Sequence, residues 1–228
     1  MRGRKPTRSA REPRSPRPPA ARPPLPVLPT PAGSAGVFVP QGYEPGYDYP
    51  LLVWLTDPAE ASDLGRAMSR TSLRNFVAVQ PAAGGDSETR VWRAIDRVRD
   101  RWSIHPRRIY LVGRGAGGTE AFRIACRAPD AFGGVVSLGG EFPLDEGLFA
   151  AADRVRRLPM LLCLRRDAVA ADHVDRVLRL FHAAGAMLSM RVYPGRDDLS
   201  CAALADVNRW VMDDVCGSAA AAPARCVP

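Results

Sequence analysis

The apolar residues of the chain fall into short runs separated by amphipathic stretches. GVFVP at 36–40, LLVWLT at 51–56, FVAVQ at 76–80, RIYLVG at 108–113, VVSLG at 135–139, PMLLCL at 159–164 and LSMRVYP at 188–194 have the length and the aliphatic, β-branched content of strands. Between them the period changes. Over 88–102, Val91, Ile95, Val98 and Trp102 share one helical face, which predicts a long helix. Further helices are predicted at 63–70, 116–127 and 200–214, and one between the last two strands that turns Val174, Val177, Leu178 and Phe181 inward. Strands apolar on both faces that alternate with helices predict a doubly wound, mainly parallel sheet covered on both sides. In such a sheet the chemistry is expected at the carboxyl ends of the strands.

The composition fits one such domain. The chain has 228 residues, of which 46% are hydrophobic. Its longest apolar runs are about five residues, against the roughly 20 needed to cross a bilayer, so no membrane association is expected. The net charge of +8 suggests a polyanion binder until its position is traced. Residues 1–40 carry eight basic side chains and one acid, leaving 24 basic and 23 acidic groups in the remainder. The same 40 residues hold 11 of the 22 prolines, too polar and too proline-rich a stretch to build a core. The expected organisation is a disordered basic Pro/Arg-rich tail at 1–35, with polyproline character in SPRPPAARPPLP, one domain at 36–216 and a flexible C-terminal tail at 217–228. No apolar h-region follows the arginines, so no secretory signal and a cytoplasmic location are expected. Nucleic acid is expected as a partner only through the tail; any other ligand or protein partner is left unidentified. Five cysteines without a CxxC spacing argue against a zinc site. They are expected as free thiols, although Cys216 and Cys226 could pair in an oxidising compartment.

The most informative segment is IYLVGRGAGGTEAFRIA at 109–125. A strand that runs into G-x-?-x-G and then a helix has the layout of a nucleophile elbow, G-x-S-x-G. Here the segment is Gly113-Arg114-Gly115-Ala116-Gly117, with glycine at the serine position. Gly113, Gly115 and Gly118 also spell G-x-G-x-x-G, and Glu141 follows 23 positions after Gly118. That dinucleotide fingerprint needs the first strand of the fold, which this is not. No cofactor is expected.

With this elbow, the entry stretch PQGYEPGYDYPLLVWL and the later segments LPMLLCLRRDAVA and MRVYPGRDDL, the chain resembles the phospholipase/carboxylesterase branch of the α/β-hydrolases, near the polyhydroxybutyrate depolymerase-like and dienelactone hydrolase-like esterases, over roughly 36–216. The resemblance implies an α/β-hydrolase sheet without a lid domain. It also implies a nucleophile at Gly115, an orienting acid at Asp167 and a histidine at Asp197, where similar esterases have Tyr-Pro-Gly-Gly-His and this chain has Tyr193-Pro194-Gly195-Arg196-Asp197. It places the oxyanion hole at Thr56, Asp57, Pro58 and Ala116. There Asp57 and Glu60 bring negative charge where donors belong, and Pro58 has no N–H. Only the acid position survives, and an acid without an imidazole has nothing to orient.

The remaining reactive side chains offer few substitutes. His105 precedes its strand and His182 comes late in a helix, so His173, soon after Asp167, is the one histidine placed to act as a substitute base. Cys163 and Cys201 flank the site loops without an activating neighbour. Asp167, Asp197 and Asp198 could gather round a cation, but no further ligand pattern accompanies them and no metal is expected. The expected function is therefore that of an esterase-type α/β-hydrolase fold that has lost hydrolysis and retains a binding or scaffold role. The alternatives are a carboxylic-ester or thioester hydrolase built on Asp167 and His173, and a polyanion-binding protein that acts through its basic tail.

Overall fold

All seven residues of Tyr49–Leu55 are buried, as a strand between two helical layers must be. This strand (β2) is third in a seven-stranded sheet in the computed structural model, which describes residues 35–57, 64–144, 146–168, 170–195 and 197–220. The others are β1 (Gly36–Phe38), β3 (Val77–Gln80), β4 (Ile104–Arg114), β5 (Gly134–Leu138), β6 (Met160–Arg165) and β7 (Leu188–Tyr193). The order is β1-β3-β2-β4-β5-β6-β7; β1 alone runs antiparallel to its neighbour. The expected doubly wound, mainly parallel sheet is present.

Alternation along each strand divides the core. Leu51, Val53, Ile109, Leu111, Val135 and Leu162 face one layer, built from α2 (Ser87–Arg99), α3 (Ala116–Arg127) and α5 (Ala171–Ala184). Leu52, Trp54, Tyr110, Val112, Val136 and Leu161 face the other, built from α1 (Leu64–Thr71) and α6 (Cys201–Ala220). A short helix, α4 (Ala152–Val155), precedes β6.

The helices follow from local chemistry. Asp86 caps α2 by accepting from the Thr89 amide at 2.7 Å, and Val91, Ile95 and Val98 then fall on the sheet. The helix ends at Arg99, so Trp102 packs half-buried from the turn that follows, its N–H still reaching the Val98 carbonyl at 2.9 Å. In α5, Val177 and Phe181 are buried, whereas Leu178, expected inward, is 46% exposed. This helix covers the last strands of the sheet, where only a narrow stripe finds a surface, and Leu178 lies 100° round the axis from Val177. Gly185 closes α5 in the left-handed conformation at φ 63°.

The ends of the chain differ from expectation in detail. Ala35, assigned to the tail, is 6% exposed and joins the core, and α6 continues to Ala220, past the expected domain boundary at 216. The rest of the 1–35 tail, Pro58, Glu60, Arg196 and Cys226 lie outside the described residues. Among the described residues no helix is long and apolar enough to cross a membrane.

Candidate active site

The carboxyl ends of β2, β4, β5 and β6 come into register at Leu55, Gly113, Ser137 and Leu162. There β4 turns abruptly into α3 through Gly115, at φ 52° and ψ −126°. A side chain is strained in that region, so a nucleophile held there stands clear of the chain at the cost of local strain. The glycines around it have different reasons. A Cβ on Gly113 would overlap the backbone of Gly117, one on Gly117 would come within 2.5 Å of the Leu55 carbonyl oxygen, and one on Gly118 would strike the Ser137 hydroxyl. These three let α3 sit directly on the strand ends. A Cβ on Gly115 would meet nothing within 4 Å.

The turn is also held by hydrogen bonds. Gly115 N–H donates to the Leu138 carbonyl at 2.9 Å, its own carbonyl accepts from Gly118 N–H at 2.9 Å, and the buried Ser137 hydroxyl donates to Gly140 O at 3.0 Å. The strand-to-helix turn thus has the backbone layout expected of a nucleophile elbow, with glycine at its centre. It also accounts for the glycines of the G-x-G-x-x-G match without a dinucleotide: Gly113 and Gly118 serve helix–strand packing, and Glu141 is exposed, its carbonyl bound to the Thr119 hydroxyl at 2.8 Å.

Of the residues expected at an oxyanion hole, Thr56 and Asp57 are half-buried at the end of β2 and help line a cleft of about 130 Å³ with Trp54, Gln80 and Arg90. The Thr56 hydroxyl accepts from Gln80 Nε2 at 3.4 Å, so its lone pairs are turned toward a neighbour. Ala116 is exposed as the first residue of α3, and its amide is one of the first-turn N–H groups that no carbonyl of the helix can satisfy.

The acids divide into two groups. Asp167 and Asp198 flank one guanidinium, with Arg165 Nε 3.7 Å from Asp167 Oδ1 and 3.3 Å from Asp198 Oδ1. Asp198 is the more enclosed, 16% exposed against 48%, and its carboxylate lies against Gly139, which turns at φ 75° where a Cβ would collide with it. Asp197 turns away. Its Oδ2 is 3.5 Å from Arg70 of α1 and its Oδ1 accepts from Leu199 N–H at 3.0 Å, while Arg70 also donates to Leu199 O at 2.8 Å. Asp197, where the resemblance led to the expectation of a histidine, therefore ties its own loop to α1. Arg165 was not foreseen; the signal was a charged residue at the strand end in LRRDA, where the expected acid drew attention instead.

The substitute groups are dispersed. His173 is half-buried in the first turn of α5, and among the described residues it makes no hydrogen bond or ion pair with Asp167, its Nε2 being enclosed without a partner. His105, at the far end of β4, is held below the usual imidazole range, chiefly by burial. Cys163 is 3% exposed and burial pushes its thiol up to about 12, so it carries almost no thiolate at neutral pH. Cys201 is exposed at the start of α6. Among the described residues no three His, Cys, Asp or Glu side chains are placed to hold a metal ion, and Arg165 stands between two of the three acids that a cation would need.

No family model matches the sequence, and no curated protein matches it significantly. Solved structures do match its fold. A ferulic acid esterase superposes with a TM-score of 0.66 at 16% identity, over 79% of this chain and 92% of its own. FphF, a fluorophosphonate-binding serine hydrolase of Staphylococcus aureus, gives 0.62 at 14% identity, over 79% and 91%. Est1E from Butyrivibrio proteoclasticus, whose structure holds ferulic acid, gives 0.57 at 13% identity, over 82% and 95%. With its sheet order, its turn at Gly115 and these neighbours, the chain has the fold of the α/β-hydrolase esterases.

Proposed function

We propose that the protein is an esterase-type α/β-hydrolase fold without hydrolytic activity, in which the former catalytic end of the sheet serves binding or scaffolding. One observation carries the reading: the turn keeps a positive-φ backbone conformation and leaves room for a side chain, yet at Gly115 there is no atom to attack a carbonyl. Losing the nucleophile alone costs on the order of 10⁶ in kcat in a triad hydrolase. The other two stations agree. Asp197 is occupied by Arg70, and Asp167, the retained acid, shares a guanidinium with Asp198 instead of an imidazole.

Purified full-length protein assayed with short-chain p-nitrophenyl esters and thioesters is the test. The expected result is release at the buffer rate, identical in wild type and in Asp167→Ala. Turnover above that rate that disappears in Asp167→Ala or His173→Ala would overturn the proposal in favour of a hydrolase that activates water through those two residues.

A further inference from the structure

Away from the elbow, Arg90, Arg93 and Arg97 lie along one face of α2 and line a groove of about 330 Å³ with Ala35 and the 82–84 loop. At 1.5 Å per residue the row is about 10 Å long. Arg90 is fixed, donating to Ala82 O and to the Ser87 hydroxyl, both at 2.9 Å. The other two are uncommitted: among the described residues neither Arg93 nor Arg97 makes an ion pair or a hydrogen bond. The nearby acids are engaged elsewhere or stand apart. Asp86 caps the helix, Glu88 pairs with Arg127 at 3.4 Å, and neither Asp96 nor Asp100 forms an ion pair with the row. Like charges three and four residues apart on a helix repel, and an anion laid along them removes that repulsion.

A second feature converges on the same place. Residues 1–34 carry eight basic groups and one acid, and the described chain begins at Ala35, on the rim of this groove. We propose that the arginine face of α2 binds the phosphate backbone of nucleic acid, without sequence preference, next to the point where the basic N-terminal segment joins the domain. None of its lining residues is aromatic, so it offers bases no stacking platform, and its contacts are to phosphates. The site belongs to the folded domain and is independent of what the elbow does.

The test is the salt dependence of binding, read by fluorescence anisotropy with a labelled dT20 strand and the full chain. Each phosphate contact contributes roughly 0.7 to the slope of log K against log salt for single strands. Arg93→Gln with Arg97→Gln should therefore lower the slope by about 1.4. Arg179→Gln with Arg191→Gln removes the same charge from exposed positions on α5 and β7, at the opposite edge of the sheet, and should leave the slope unchanged. A full chain that shows no salt-sensitive binding would overturn the proposal. So would an equal effect of the two pairs, or no effect of the α2 pair.

Discussion

Gly115 and Gly117 stand two residues apart in the same turn, and replacing each by alanine should fail for different reasons. At Gly115 the added methyl has open space, so the cost is backbone strain alone, about 1–3 kcal/mol for a non-glycine residue in so sparsely populated a region. Stiffening of the unfolded chain returns about 0.4–1 kcal/mol. The expected net loss is about 0–2.6 kcal/mol, with a midpoint of about 1.3 kcal/mol. Gly115→Ser should match Gly115→Ala within about 0.5 kcal/mol, because the β-carbon has open space around it and the backbone strain is the same. At Gly117 the methyl would sit 2.5 Å from Leu55 O and 2.8 Å from Thr56 N, both backbone atoms that yield only if α3 lifts from β2. That places Gly117→Ala at or above the roughly 3 kcal/mol upper range of overpacking. Urea unfolding followed by circular dichroism at constant m-value measures all three. A Gly115→Ala protein more stable than wild type would refute the strained turn, and equal losses at 115 and 117 would refute the space argument.

Other consequences can be checked alongside. Phe142 is 1% exposed and touches the rings of Phe122, Phe149 and Phe181 with centroids 4.9–5.7 Å away, so Phe142→Ala should cost about 3–5 kcal/mol in the same urea experiment. In a Cys226→Ser background a disulfide reagent near neutral pH should titrate Cys201 and Cys216 in the native protein and reach Cys126 and Cys163 only on unfolding, since burial pushes both of those thiols up to about 12. Glu146 receives three hydrogen bonds from Arg123, Nε to both carboxylate oxygens and Nη2 to Oε1, the main reason its carboxyl lies below its ordinary 4.5. Its folded value is lower than its unfolded one, so its contribution is full above the ordinary value and is lost as pH falls through the folded one. Stability measured down through that window should fall less steeply in Glu146→Gln than in wild type.

Much of the fold can be read from the amino-acid order because burial on both sides of the sheet forces runs such as LLVWL and YLVG to be apolar throughout, whatever surrounds them. Helix α2 is equally legible, since a cap at Asp86 and a face of Val91, Ile95 and Val98 need no tertiary information. Leu178 is different: whether it is covered depends on how far the sheet extends beneath α5, which no local period encodes. The site shows the same division. A glycine in the serine place of an elbow is visible in the text, and its backbone angles then follow from packing demands at Gly113 and Gly117. The partner of an aspartate is not visible. Asp197 and Asp198 are adjacent letters, yet one side chain turns to Arg70, 127 positions earlier, and the other to Arg165 against Gly139. Such choices are made by which guanidinium the folded sheet brings near, so spacing along the chain assigns the loop but not the residue.

The central claim is that this esterase fold carries no activated nucleophile, and covalent labelling tests it most directly. Wild-type protein incubated with a fluorophosphonate probe and weighed intact by mass spectrometry should remain unmodified, while an active serine hydrolase treated in parallel gains one phosphonyl adduct. A single stoichiometric adduct on the native protein, absent after unfolding before treatment, would contradict the account.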